Sequence, residues 1–165
     1  MNSHLIYNLK WSLLTDSVAM NEINQQILMA NILIVDDQIL NIKLLERILT
    51  QAGYTHIFST TDPKQTIDLY IKHDIDLLLL DIRMPIMDGF EVLAELKKTS
   101  PESHNDYLPV LVLTAELTSE TRNKALTAGA KDFLTKPFDQ IEALQRIHNI
   151  LEVRILHKQV LQQNL

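Results

Sequence analysis

The stretch Leu77-Leu78-Leu79-Leu80-Asp81-Ile82-Arg83-Met84-Pro85-Ile86-Met87-Asp88-Gly89 constrains this chain more than any other. A short, wholly apolar run of this kind reads as a strand buried on both faces, as in a parallel sheet covered by helices. An ionised carboxylate is costly inside such a strand, so Asp81 is expected where the strand emerges, at its carboxyl end. In open α/β sheets that edge is where ligands bind. The loop that follows offers one further acid, Asp88, and no evident general base. Asp81 therefore reads as a nucleophile or a metal ligand.

The neighbouring segments repeat the pattern. Ile32-Leu33-Ile34-Val35 is a β-branched apolar strand ending on Asp36-Asp37. A helix follows, with Leu40, Leu44, Leu45 and Ile48 expected on its inner face and Gly53 as its stop signal. His56-Ile57-Phe58-Ser59 reads as a second strand. Asp62-Pro63 then opens a second helix, capped by Asp62, with Ile67, Leu69, Tyr70 and Ile71 inside. After the Asp76–Leu80 strand comes a helix carrying Phe90, Val92, Leu93 and Leu96, then a polar loop around 101–106. Residues 109–113 form a fourth strand ending on Thr114-Ala115. Ser119 is the expected cap of a helix with little apolar surface, stopped by Gly129. Asp132-Phe133-Leu134 is a short fifth strand before Lys136-Pro137, and Asp139 caps a long last helix.

Five strands alternating with five helices predict an α/β fold, a doubly wound five-stranded parallel sheet with right-handed crossovers. Asp36-Asp37, Asp81, Thr114 and Lys136 then fall at strand ends on one edge. Taken singly, Asp36-Asp37 reads as an ordinary helix cap, Thr114 as a strand-end hydroxyl and Lys136 as a surface lysine. Nothing structural requires the set together.

Composition narrows the function classes. The chain has 165 residues, a formal net charge of −6 and no cysteine. The acidic balance argues against a broad nucleic-acid footprint. Disulfides, thiolate catalysis and Cys-based zinc sites are excluded. No apolar run approaches the roughly 18 residues of a membrane span. Ser17-Val18-Ala19 has the form of a signal-peptide cleavage site, but no basic region precedes it, and Asn8 and Lys10 interrupt the apolar stretch. The expectation is a cytoplasmic protein. The six histidines show no metal-ligand spacing.

Residues 29–151 resemble the receiver domain of two-component response regulators. The residues that carry the resemblance are Val35-Asp36-Asp37, the stretch Leu80 to Gly89, Leu113-Thr114-Ala115, and Ala128-Gly129-Ala130 through Lys136-Pro137-Phe138. It implies a flavodoxin-like sheet of strand order 2-1-3-4-5. It also implies that Asp81 accepts a phosphoryl group from the phosphohistidine of a sensor histidine kinase, and that the domain is a switch, not an enzyme. Converging carboxylates repel one another unless a cation sits among them, and a hard oxygen-liganded ion suits a phosphoryl substrate. By resemblance that ion is Mg²⁺, or Mn²⁺ in its place, on Asp37, Asp81 and the backbone carbonyl of Arg83, with Asp36 acting through water. Lys136 and the Thr114 hydroxyl would meet the phosphoryl oxygens, and small Ala115 would leave room for the group. Phe133 would swing inward as Thr114 moves, the Lys136–Pro137 bond would be cis, and the fourth helix, fifth strand and fifth helix of the receiver would form the switching surface. A haloacid-dehalogenase-type phosphohydrolase also uses an aspartate nucleophile with Mg²⁺, but with Asp-x-Asp after its first strand. A degenerate receiver used for dimerisation or docking is the other alternative.

Two segments flank the receiver. Residues 1–28 read as a helical or poorly ordered extension. Residues 152–165 continue the last helix as a coiled-coil connector, with Val153, Leu156 and Val160 in one stripe and Ile155 and Leu161 beside it. That pattern suggests a homodimer through this helix or through the switching surface. The segment also resembles the connector of receivers joined to cyclic-di-GMP enzymes or other signalling modules, so an output domain is expected either beyond this chain or in a separate partner.

Overall fold

The computed structural model describes residues 3–99 and 108–164. In chain order the elements are α1 (Ser3–Leu28), β1 (Asn31–Val35), α2 (Ile39–Gln51), β2 (His56–Thr60), a 3-10 turn (Pro63–Gln65) running into α3 (Thr66–His73), and β3 (Leu77–Asp81). They continue with α4 (Gly89–Thr99), β4 (Val110–Thr114), α5 (Ser119–Thr127), β5 (Asp132–Thr135) and α6 (Gln140–Gln163). The polar loop expected at 101–106 lies outside the described residues.

The five strands form one parallel sheet in the order β2-β1-β3-β4-β5, the doubly wound arrangement expected from the strand–helix alternation. Every residue of β3 and β4 is buried. Side-chain alternation along the strands builds two cores. Ile32, Ile34, Leu77, Leu79, Leu111, Leu113 and Leu134 pack with α2 and α6. Leu33, Val35, Leu78, Leu80, Val110, Val112 and Phe133 pack with α4 and α5 on the other face. The four leucines are thus shared between both layers, which fixes β3 at the centre. Each such burial stabilises by roughly 1.5–3 kcal/mol.

Several helix faces differ from the sequence expectation. The inner stripe of α2 is Ile42, Leu45, Ile48 and Leu49. Leu40 and Leu44 are exposed, Leu40 at 79 %. This helix is apolar on two adjoining stripes, so periodicity alone does not choose between them. In α3 the buried residue is Thr66, and Ile71 is exposed. In α6, Ile147 and Leu151 face the core as expected, whereas Ile141 is exposed. Two positions before buried Ala143, Ile141 falls on the opposite side of the helix. Thr118, not Ser119, caps α5, its hydroxyl accepting from the Thr121 N–H. Asp62 caps the 3-10 turn, accepting from the Lys64 N–H. Asp139 caps α6 as expected.

The N-terminal segment is helical and adds a sixth helix to the fold. Ile27 is buried in the same core cluster as Leu151 and Ile155, with Ile23 and Leu28 packed against it. The Gln159 amide donates to Gln26 Oε1 at 2.9 Å. With residue 27 near 155 and 26 near 159, α1 lies antiparallel to the extension of α6, at the edge of the sheet opposite Asp81. Among the described residues no helix is long and apolar enough to cross a membrane.

A buried charge cluster ties this extension to the sheet. Asp76 precedes β3 and makes two hydrogen bonds with the backbone at the base of β1: the Asn31 N–H donates to Asp76 Oδ2 at 2.9 Å, and the Asp76 N–H donates to the Asn31 carbonyl at 2.8 Å. The Lys158 ammonium donates to Asp76 Oδ1, and Arg154 Nε lies 3.8 Å from the same oxygen. Both Asp76 and Arg154 are buried. Removing one member of a buried charge set is far costlier than the set's net contribution. Asp76→Ala is therefore expected to lower unfolding free energy by about 3 kcal/mol or more. Urea unfolding followed by circular dichroism checks this, and a change under about 0.5 kcal/mol would contradict it.

Candidate functional site

Three carboxylates meet at the carboxyl edge of the sheet because β1 and β3 are neighbours. Asp36 and Asp37 follow β1, and Asp81 is the last residue of β3. One oxygen from each lies within 4.8 Å of the others. Asp36 and Asp81 are buried, and Asp37 is half-buried. Lys136 follows β5 and reaches across, its ammonium 2.8 Å from Asp36 Oδ2 and 3.2 Å from Asp81 Oδ1. Asp81 and Lys136 therefore sit together as the sequence reading expects.

Asp36 is the best anchored of the three. Its carboxylate accepts from the Gln38 N–H at 2.9 Å and from the Asn41 side-chain amide at 3.2 and 3.1 Å, besides Lys136. Asn41, on the first turn of α2, orients the acidic site and was not singled out from sequence; its place one turn past Asp36-Asp37 is the available signal. Asp37 differs, because its Oδ1 is buried and has no hydrogen-bond donor. A buried acceptor without a donor is costly, and three converging oxygens with one unsatisfied fit a hard divalent cation.

Burial raises the Asp81 carboxyl, the charge of Asp36 raises it further, and Lys136 offsets part of this. A side-chain hydrogen bond with Asp37 adds a smaller rise, leaving Asp81 at about 6. Burial pulls the Lys136 ammonium down, but its hydrogen bond to Asp36 and the charges of Asp81 and Asp36 outweigh that, so its net shift is upward. The site thus holds excess negative charge that one lysine does not fully balance.

The loop after Asp81 is held close to the strand. The Gly89 N–H donates to the Ile82 carbonyl at 2.8 Å. A Cβ on Gly89 would lie 2.6 Å from the Asp81 carbonyl oxygen and 2.8 Å from Ile82 Cα. No side chain fits there, so glycine is required for α4 to begin against β3. Asp88 closes the turn: its carboxylate accepts from the Glu91 N–H at 2.9 Å, and Glu91 accepts from the Asp88 N–H at 2.8 Å. That reciprocal pair is a capping box, which gives Asp88 a structural role.

Thr114, the last residue of β4, is buried, and its hydroxyl donates to the Glu116 carbonyl at 2.9 Å. Ala115 is exposed beside it. The Arg83 side chain points outward and pairs with Glu116 at 2.9 Å, so an ion pair joins the loops after β3 and β4. Phe133 on β5 pairs with Val112 and is already buried. The Lys136–Pro137 peptide bond is cis.

Residues 32–148 match the model of the response regulator receiver domain. The chain belongs to the response regulator receiver family. It is 35 % identical to Response regulator PleD of Caulobacter vibrioides over 127 residues, which cover 77 % of this chain and 27 % of PleD. It is 33 % identical to Response regulator SaeR of Staphylococcus aureus over 136 residues, 82 % of this chain and 57 % of SaeR. The chain therefore spans about a quarter and somewhat over half of these relatives. Among solved structures, a response regulator from Chloroflexus aurantiacus superposes with a TM-score of 0.66 at 31 % identity, covering 74 % of this chain and 98 % of that one. A chain of the CheX–CheY–BeF3–Mg²⁺ complex from Borrelia burgdorferi also gives 0.66, at 32 % identity, with 73 % and 88 % covered.

The Asp81 shift has a consequence for stability. Because its folded value lies above the unfolded one of 3.8, the protonated carboxyl contributes stability that is fully present below about pH 4. That contribution is lost as pH rises through about 6. In EDTA, Asp81→Asn is expected to be more stable than wild type at pH 7.5, on the order of 2 kcal/mol, with the gain fading toward pH 4. Thermal unfolding across that range checks it; an advantage that grows on acidification would contradict it.

Proposed function

We propose that this receiver accepts a phosphoryl group on Asp81 from a phosphohistidine of a sensor histidine kinase. The observation that carries this reading is the convergence of Asp36, Asp37 and Asp81 within 4.8 Å, with Lys136 between Asp36 and Asp81. An Asp81 oxygen attacks phosphorus in line, the P–N bond breaks, and the imidazole leaves with a proton, giving an aspartyl phosphate. Such a transfer depends on positioning and charge neutralisation more than on covalent assistance.

Asp36, Asp37, Asp81 and the Arg83 carbonyl would hold Mg²⁺, which when bound neutralises charge on the phosphoryl oxygens. Mn²⁺, also oxygen-liganded, would serve in its place. A similar structure that contains BeF3 and Mg²⁺ together supports this pairing of species. Lys136 would shift from the carboxylates toward the incoming group. Thr114 would turn its hydroxyl from the Glu116 carbonyl to a phosphoryl oxygen, and exposed Ala115 leaves the approach open. This exchange links occupancy at Asp81 to the loop carrying Glu116, and so to the Arg83–Glu116 ion pair.

The switching surface would be α5, β5 and α6, with Phe133 as its packing element. The thin apolar face of α5, where Ala125 is the buried residue, suits an element that shifts at low cost. The surface would then act on an output domain or a separate partner, making the chain a switch without substrate turnover of its own.

Incubation with Mg²⁺ and acetyl phosphate followed by intact mass tests the proposal. Wild type is expected to gain one phosphoryl group and Asp81→Asn none; EDTA should abolish the gain. No gain in wild type, or an equal gain in the variant, would overturn it.

A further inference from the structure

We propose that the outer stripe of α6 is a seam for a second copy of this chain, paired in parallel and in register. Past the receiver, one face of α6 is already covered within the chain. Arg154 and Lys158 meet Asp76, while Ile155 and Gln159 meet the Ile27 and Gln26 region of α1. The away side carries Val153, Leu156 and Val160, exposed at 59, 40 and 55 %. At about 100° per residue these three fall within roughly 60° of one another. They form a narrow apolar stripe on a helix whose other apolar face is satisfied.

The identity of the residues names the occupant. Spacings of three and four residues put Val153 and Val160 at a positions and Leu156 at d. Branched residues at a with leucine at d favour two parallel strands. Asn149 and Gln163 continue the same spacing and bound the seam with polar side chains. The flanking positions carry Glu152 and Gln159 on one side and His157 and Asn164 on the other. In a parallel pair Glu152 faces the partner's His157, so no like charges oppose each other. A helix from a second copy therefore meets a complementary apolar stripe with no like charges opposed across it. Three apolar side chains per copy make a short seam, so association should depend on concentration. It joins the helical extensions, not the phosphoacceptor edges, and stands independently of phosphoryl acceptance.

Sedimentation velocity of the full chain across a concentration series tests this together with single cysteines, which are unambiguous because the native sequence has none. Wild type is expected to dimerise reversibly, and Leu156→Glu to weaken the dimer roughly tenfold or more without loss of helical signal, since Leu156 is exposed. Mild oxidation should link Val153→Cys into dimers but leave Thr50→Cys, exposed on α2, unlinked. A monomer at every concentration would overturn the proposal, as would a dimer indifferent to Leu156→Glu, which would place the contact on another face such as α5, β5 and α6. Linking at a cysteine in place of Leu156 but not of Val153 would show antiparallel pairing and overturn the parallel seam.

Discussion

The repulsion among three carboxylates is the constraint on which the rest of this structure depends. Asp36, Asp37 and Asp81 are drawn together by parallel strand pairing, and the Lys136 ammonium answers only part of their charge. Such an arrangement is unfavourable for folding alone: burial first, and the charge of Asp36 second, raise Asp81 to about 6. It persists because the surrounding fold overdetermines it: β3 is fixed through both cores, and Asp36 is held by Asn41 and the backbone of Gln38. An unsatisfied buried Asp37 oxygen and an excess of negative charge are what a divalent cation would relieve.

The same strand is held at both ends by charge. At its carboxyl end Asp81 faces Lys136; just before its amino end Asp76 faces Lys158 and Arg154. Both lysines lie outside the sheet strands, one before α6 and one late within it, so α6 connects the two charged ends of β3. The hydrogen bond from the Gly89 N–H to the Ile82 carbonyl holds the loop after Asp81 against the strand. In the proposed transfer, a change at Asp81 would meet a strand buried on both faces, and the Thr114–Glu116 loop and α5 are the parts proposed to move.

Much of the fold and site was legible because the strands are short, apolar and terminated by functional residues. Burial on both faces forces the alternation of Leu77 to Leu80 into two cores, and the strand ends then locate the site without further information. Helix faces were harder to read. In α2 Leu40 and Leu44 compete with Ile42 and Leu49, and the exposed stripe differs from the buried one by its position over the sheet, which local periodicity does not encode. Asp76, Arg154 and Lys158 were unreadable as a group because 78 and 82 residues separate the partners. The packing of α1 was missed for the same reason: its inner residues, Ile23 and Ile27, find their partners only once α6 has passed the receiver.

The central claim is that the carboxylate of Asp81, among four aspartates near this edge, takes the phosphoryl group. Borohydride reduction tests it most directly, since an acyl phosphate is reduced to an alcohol and an aspartyl phosphate becomes homoserine. After treatment with Mg²⁺ and acetyl phosphate, peptide mass spectrometry is expected to find homoserine at position 81 alone. Homoserine at position 36, 37 or 88, or phosphate retained on a histidine, would contradict the account.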